Sequence, residues 1–209
     1  SSHLFDTKDL LKMKYYLVAG EASGDLHGSN LMKGLKIHDS NAEFRFFGGD
    51  LMAAVGGTLA KHYRDMAFMG FLEVVKNLRT ISHNFKDCQN DIEQYQPDVI
   101  ILIDYPGFNF RIAKWAKERG IKVFYYIAPK VWAWKEGRVK RLQQNVDKLF
   151  TIFPFETEYF RRFGIEVCYE GNPLIDALDQ KRNRLPSLDE FVAKNQLANK
   201  RIVAVLAGS

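Results

Sequence analysis

From Met13 onward the chain alternates short apolar runs with stretches of helical periodicity. Residues 15–19 read Tyr-Tyr-Leu-Val-Ala, a buried-strand pattern that stops at Gly20. Leu26, Leu31, Leu35 and Ile37 supply one apolar face to a helix predicted over about residues 24–37. Residues 44–47 predict a second strand, closed by Gly48-Gly49. Residues 99–103 are apolar at every position, as in a strand covered on both sheet faces. Residues 123–127 and 149–153 repeat that pattern, with helical segments between them. Strands alternating with helices imply an α/β fold with a parallel sheet wrapped on both sides. Such folds place ligands beyond the C-terminal ends of their strands.

The polar stretch 179–200, with Pro186, predicts a linker carrying a short helix after a first domain over residues 13–178. Residues 201–206 predict the first strand of a second α/β domain, Ala207-Gly208-Ser209 its turn, and the rest of that domain is expected to be cut off. Residues 1–12 form a polar leader, expected to be an expression remnant or an upstream-start extension. At 46% hydrophobic and 26% charged, the 209 residues exclude disordered, collagen-like and coiled-coil classes. The excess of 30 Lys+Arg over 25 Asp+Glu, a formal +5, favours an anionic surface or ligand. It comes without the aromatic and basic patterning of nucleic-acid binders, so no nucleic acid is expected as partner. No apolar run approaches the ~20 residues of a membrane span. Cys88 and Cys168 make no redox or metal motif and suit a reducing cytosol. His27, His38, His62 and His83 lack ligand spacing, so no metal site is expected; separately, no cofactor is expected.

Four segments carry candidate chemistry. The first strand runs into Gly20-Glu21-Ala22-Ser23-Gly24-Asp25 at a helix N-terminus. It lacks the dinucleotide fingerprint and the P-loop lysine, and its carboxylates would repel a phosphate. Glu21 and Asp25 accepting bonds from sugar hydroxyls is one reading; Ser23 or Asp25 capping the helix is the other. Asp104, at the end of the most buried strand, stands before Tyr105-Pro106-Gly107-Phe108-Asn109. It is either a general base at the crevice mouth or an acceptor for turn amides, with Asn109 a cap for the next helix. Trp132 and Trp134, with Arg138, Lys140 and Arg141 beyond them, either line the cleft and hold a phosphorylated ligand or fill core and surface. Residues 66–75 are apolar nearly all round and are followed by Lys76 and Arg79, which leaves core burial and interfacial membrane contact both open.

Taken in order, these blocks resemble one family. Val18-Ala19-Gly20-Glu21-Ala22-Ser23-Gly24-Asp25, Met69-Gly70-Phe71-Leu72-Glu73-Val74, Asp104-Tyr105-Pro106-Gly107-Phe108-Asn109, Val131-Trp132-Ala133-Trp134, Phe153-Pro154-Phe155-Glu156 and Gly171-Asn172-Pro173-Leu174 are similar to blocks of the lipid-A-disaccharide synthases. The likeness runs from about Lys14 to Ser209. It departs at Gly107, where many members carry a second acid, at Asn172, where histidine is usual, and at Ala207, where proline is usual.

The resemblance implies the Rossmann-like, acceptor-side N-terminal half of a GT-B glycosyltransferase. That enzyme would join UDP-2,3-diacylglucosamine to 2,3-diacylglucosamine 1-phosphate with inversion, releasing UDP, without a metal. It implies Asp104 as catalytic base, and Gly20, Glu21, Ser23, Gly24, Asp25, Asn109, Trp132 and Trp134 as substrate contacts. It also turns residues 66–75 toward lipid, with Phe68, Met69, Phe71, Leu72, Val75, Lys76 and Arg79 meeting acyl chains or the inner-membrane surface. A cytoplasmic, peripherally attached protein is expected, inactive as this chain alone, with a homodimer left open. Two other classes stay open: an epimerase-like enzyme acting on water-soluble nucleotide sugars, and an acceptor-binding module without turnover.

Overall fold

The computed structural model describes residues 12–66, 78–129, 137–182 and 185–205. The chain divides into two compact units, one up to Gly171 and one from Asn172. In the first, β1 (Lys14–Ala19), β2 (Glu43–Gly48), β3 (Thr58–His62), β4 (Val99–Ile103), β5 (Lys122–Tyr126), β6 (Lys148–Thr151) and β7 (Val167–Tyr169) form one sheet. Every pairing is parallel, in the order β3-β2-β1-β4-β5-β6-β7. Helices α1 (Ala22–His38), α2 (Asp50–Val55), α3 (Leu78–Tyr95), α4 (Pro106–Glu118), α5 (Gly137–Asn145) and α6 (Pro154–Arg161) connect the strands. The α/β class read from the alternation is the one observed.

Period-two alternation sorts the strand residues onto two cores. Tyr16, Val18, Ile100, Leu102, Val123 and Tyr125 face a layer that includes Ile92 of α3 and Ile112, Ala113 and Ala116 of α4. Leu17, Ala19, Val99, Ile101 and Ile103 face Met32 of α1 and Met52 of α2. A strand buried on both sides has no polar position to spare, which is why β4 is apolar throughout. The two strands that the hydrophobic pattern does not reveal, β3 and β7, lie at the sheet's edges. Their Thr58, Lys61, His62 and Tyr169 are partly solvated, so no apolar run marks them.

In the second unit, α7 (Pro173–Arg182) is followed by α8 (Leu188–Lys194). The Ser187 hydroxyl accepts the Glu190 amide at 3.2 Å while the Glu190 carboxylate accepts the Ser187 amide at 2.8 Å, a reciprocal cap. Residues 201–205, the described part of the stretch expected to form a strand, are exposed and without regular structure. An extended run of amides becomes a strand only beside a partner, and none of the described residues pairs with it. No described helix is long and apolar enough to cross a membrane.

One polar cluster ties α3 to the sheet. Asp91 accepts a fork from Arg45 of β2, at 2.8 Å from Nε and 2.6 Å from Nη2, and the Tyr16 hydroxyl of β1 at 2.6 Å. Burial pushes the Asp91 carboxyl up, but the bonds from Arg45 and Tyr16 outweigh it and leave it below its ordinary 3.8. Asp91→Asn should therefore cost ~1.5–3 kcal/mol near neutral pH, the range for charge-assisted bonds. With its folded value depressed, the carboxylate's contribution is fully present above the unfolded value and lost as pH falls through the folded one. Urea titrations from about pH 6 to about pH 2.5 should show the gap between wild type and Asp91→Asn closing at the acid end; a gap that stays constant rules out this role.

Candidate functional site

The strand order reverses direction at one place, between β1 and β4, where Ala19 lies beside Ile103. In open α/β sheets the crevice beyond such a switch point is where ligands bind. The residues that follow these two strand ends are Gly20-Glu21 and Asp104-Tyr105, so the first two sequence candidates come together on one rim.

The turn after β4 is strained. Asp104 and Tyr105 hold φ of 44° and 46°, left-handed values that L-residues adopt rarely, and Ile127 at the end of β5 holds 64°. A β-branched side chain in that region is a genuine outlier, and such outliers persist only where the surroundings over-determine them. Here the surroundings do. The Asp104 amide donates to the Tyr126 carbonyl at 3.1 Å. The Asp104 carbonyl accepts the Tyr125 hydroxyl at 2.5 Å and the Asn109 amide nitrogen at 2.8 Å. Burial, and then the Asp104 charge, push the Tyr125 phenol well up despite the opposing Asn109 bond and Arg138, so it remains a donor.

Asn109 corrects an expectation. It lies inside α4 with no exposed surface, and its amide nitrogen also reaches the carbonyls of Ile103 at 3.3 Å and Val18 at 3.4 Å. It stitches β1 to β4 beneath the rim and does not cap the helix, whose N-cap is Tyr105. Asp25 is corrected likewise. Only 3% exposed, its carboxylate accepts the amides of Gly49 at 2.9 Å, Leu51 at 3.0 Å and Met52 at 3.0 Å. It does not cap its own helix; it satisfies the free N–H groups at the start of α2.

Glu21, by contrast, is exposed as the first residue before α1, and Ser23 donates to its Oε1 at 2.8 Å. Gly20 is required beside them: a Cβ there would stand 2.3 Å from the Tyr105 ring. Gly24 packs the first turn of α1 onto Ala19, where an added Cβ would come within 3.1 Å. Gly107 has open space where a Cβ would point. Trp132, Trp134, Phe68, Met69, Phe71, Leu72, Val75 and Lys76, with the Arg79 side chain, lie outside the described residues.

A cavity of about 280 Å³ opens beside Asp104, walled by Pro106, Ile127, Ala128 and Pro129, with Arg138 and Glu156 contributing charge. Glu156 is 1% exposed, and its Oε2 faces the amides of Ile152 at 3.3 Å and Phe153 at 3.2 Å. Sequence reasoning placed it only within a motif block; its signal is an acid in the first turn after Pro154. The positions of Tyr125 and Ile127 had no such signal, because strand register and backbone torsion decide them.

Two substitutions test this scaffold. Asn109→Ala strips donors from buried carbonyls and should cost ~1–3 kcal/mol. Asn109→Asp sets an acceptor-only charge against those same carbonyls and should cost more. Equal stability of both variants and wild type in urea titrations would show that the rim does not depend on Asn109.

A model of the lipid-A-disaccharide synthetase family matches residues 15–209. The lipid-A-disaccharide synthase of Geobacter metallireducens is 40% identical over 193 residues, 92% of this chain and 50% of that protein. The enzymes of that name from Syntrophus aciditrophicus and Coxiella burnetii are 39% and 36% identical over the same shares. The chain thus spans about half the length of the curated relatives it matches. Among solved structures, UDP-GlcNAc 2-epimerases share the fold. That of Neisseria meningitidis, bound to UDP-GlcNAc, superposes with a TM-score of 0.59 at 16% identity, covering 90% of this chain and 53% of that one. That of Methanocaldococcus jannaschii, with UDP-GlcNAc and UDP, superposes at 0.62 and 12% identity, covering 88% and 54%. With a family model spanning nearly all of its length and these motif-bearing turns at the sheet's switch point, the chain belongs to the lipid-A-disaccharide synthetase family.

Proposed function

We propose that the chain forms the acceptor side of a GT-B glycosyltransferase of lipid A biosynthesis. It would transfer 2,3-diacylglucosamine from its UDP donor to 2,3-diacylglucosamine 1-phosphate, with inversion and release of UDP. The observation that carries this reading is Asp104, a carboxylate on a strained, doubly anchored turn at the switch point of a chain of this family. Inverting transfer needs one base. Asp104 takes the proton of the acceptor hydroxyl as that oxygen bonds the anomeric carbon. The bond from that carbon to UDP breaks on the opposite face, and its electron pair leaves with UDP. Glu21 and Ser23 on the same rim bind sugar hydroxyls, and Trp132 and Trp134 are assigned to the same ligand. Donor handling is assigned to the part of the relatives that this chain does not match, so the 209 residues alone should bind UDP weakly and not turn over.

Asp104→Asn isolates the chemistry, because asparagine tolerates left-handed φ as well as aspartate does. In the protein extended to its relatives' length, this change should lower turnover ~10²–10⁴-fold without altering the melting temperature. Near-normal turnover would remove Asp104 from the mechanism.

The apolar segment Phe68, Met69, Phe71, Leu72 and Val75, with Lys76 and Arg79, is assigned to acyl chains and the cytoplasmic surface of the inner membrane. Burying a large apolar side chain is worth ~1.5–3 kcal/mol, and a cation at an anionic surface adds about 1 kcal/mol. Phe68→Ser with Phe71→Ser should release the protein from phosphatidylglycerol vesicles in sedimentation at low salt. A parent chain that never sediments with those vesicles ends the membrane assignment.

The epimerase likeness favours one second reading, an enzyme acting on water-soluble nucleotide sugars. Conversion of UDP-N-acetylglucosamine without any lipid acceptor would support it; its absence alongside turnover of the diacylated pair would exclude it.

A further inference from the structure

Helices α4 and α5 border a second groove, of about 440 Å³. Arg111 and Lys114 line it from α4, Arg138 and Arg141 from α5, and Gln144 and Asn145 complete its wall. Among the described residues, no carboxylate lines it. Elsewhere in this unit cations stand against acids at short range: Lys61 to Asp87 at 2.8 Å, Lys117 to Asp147 at 2.6 Å, Arg119 to Glu93 at 3.0 Å. In the groove, Lys114 reaches Glu118 only at 3.8 Å on an exposed helix turn. Among the described residues, Arg138 and Arg141 have no acid within ion-pairing distance.

Four like charges converging on one concavity repel one another, and an anion held between them removes that repulsion. The geometry is also partly pre-set. The Arg111 guanidinium stacks on the Phe85 ring, 4.5 Å from its centroid, which restricts the plane of its donor fork. Guanidinium forks match phosphate oxygens two at a time, and lysine adds a point charge. Finally, the groove adjoins the Asp104 cavity: Pro106 and Arg138 line both.

We propose that this groove holds the phosphomonoester of a sugar 1-phosphate, whose sugar extends past Arg138 toward Asp104. The name of that ligand rests on the glycosyl-transfer reading; the phosphate chemistry rests on the groove. A recessed site with four cations suits a dianionic monoester better than the single charge of a phospholipid diester.

The test titrates the 209-residue chain with glucosamine 1-phosphate and with glucosamine by calorimetry, at low and high salt. The expected result is binding of the phosphorylated sugar alone, weakened by salt. Lys114→Gln with Arg141→Gln, both exposed positions, should weaken it about tenfold or more, the loss of at least one charge-assisted bond. Arg138→Gln is the independent second variant and should do the same, with melting temperatures confirming that both fold. Unchanged affinity in both variants overturns the proposal. So does a double variant that keeps its affinity for glucosamine 1-phosphate while losing attachment to phosphatidylglycerol vesicles, which would assign the cations to a lipid surface. Binding is read without turnover, so a failure here leaves Asp104 as base untouched, and an active Asp104→Asn enzyme leaves the groove standing.

Discussion

Two donors converge on the carbonyl oxygen of Asp104, one from the Tyr125 hydroxyl and one from the Asn109 amide. Without them, the left-handed pair Asp104-Tyr105 would relax toward ordinary torsions, at a gain of order 1–3 kcal/mol per strained residue. The side-chain directions at the rim would then change. The same Asn109 nitrogen holds carbonyls of β1 and β4, so the central strand pair, the turn and the rim are fixed by one buried amide. Tyr105 in turn lies where it does because Gly20 leaves room for its ring. Rim geometry is thus set from below, by buried groups.

The central strands were legible in the sequence because burial on two faces leaves an unmistakable apolar run. The edges were not. β3 and β7 are half-solvated, and a half-solvated strand looks like a loop. The last residue of a run was also unreadable: 127 belongs to the apolar pattern after β5, yet Ile127 turns left-handed and leaves the sheet. The run at 201–205 shows the converse: an apolar pattern needs a neighbour to pair with, and among the described residues it has none.

The acids divide in a way that spacing does not reveal. Asp25 and Glu21 stand four positions apart in one motif, yet one is buried against main-chain amides of the next turn and the other is exposed. Which acid serves the fold depends on where residues 49–52 come back to meet α1, a long-range fact. Position along the chain did place Asp104 and Glu21 just past the ends of β4 and β1, where open parallel sheets bind their ligands. The cationic groove follows a different logic. Its four charges come from two helices separated by a strand, and only the packing of α4 beside α5 makes them neighbours.

The pairing of β1 with β4 also fixes when the site can exist. The Lys14 amide meets the Asp98 carboxylate across 84 positions, and the whole register of these strands spans a similar separation. Contacts this distant in sequence are slow to form, since much chain must be ordered before they reward it. On a ribosome, β1 and β2 emerge with one edge of β1 still open, and it stays open until residues 99–103 have left the tunnel. Until then an apolar strand with unpaired amides is exposed to any other nascent chain nearby. Closure of that edge completes the sheet's centre and creates the crevice in one event, so a chain arrested short of β4 has no partial site and carries an adhesive edge.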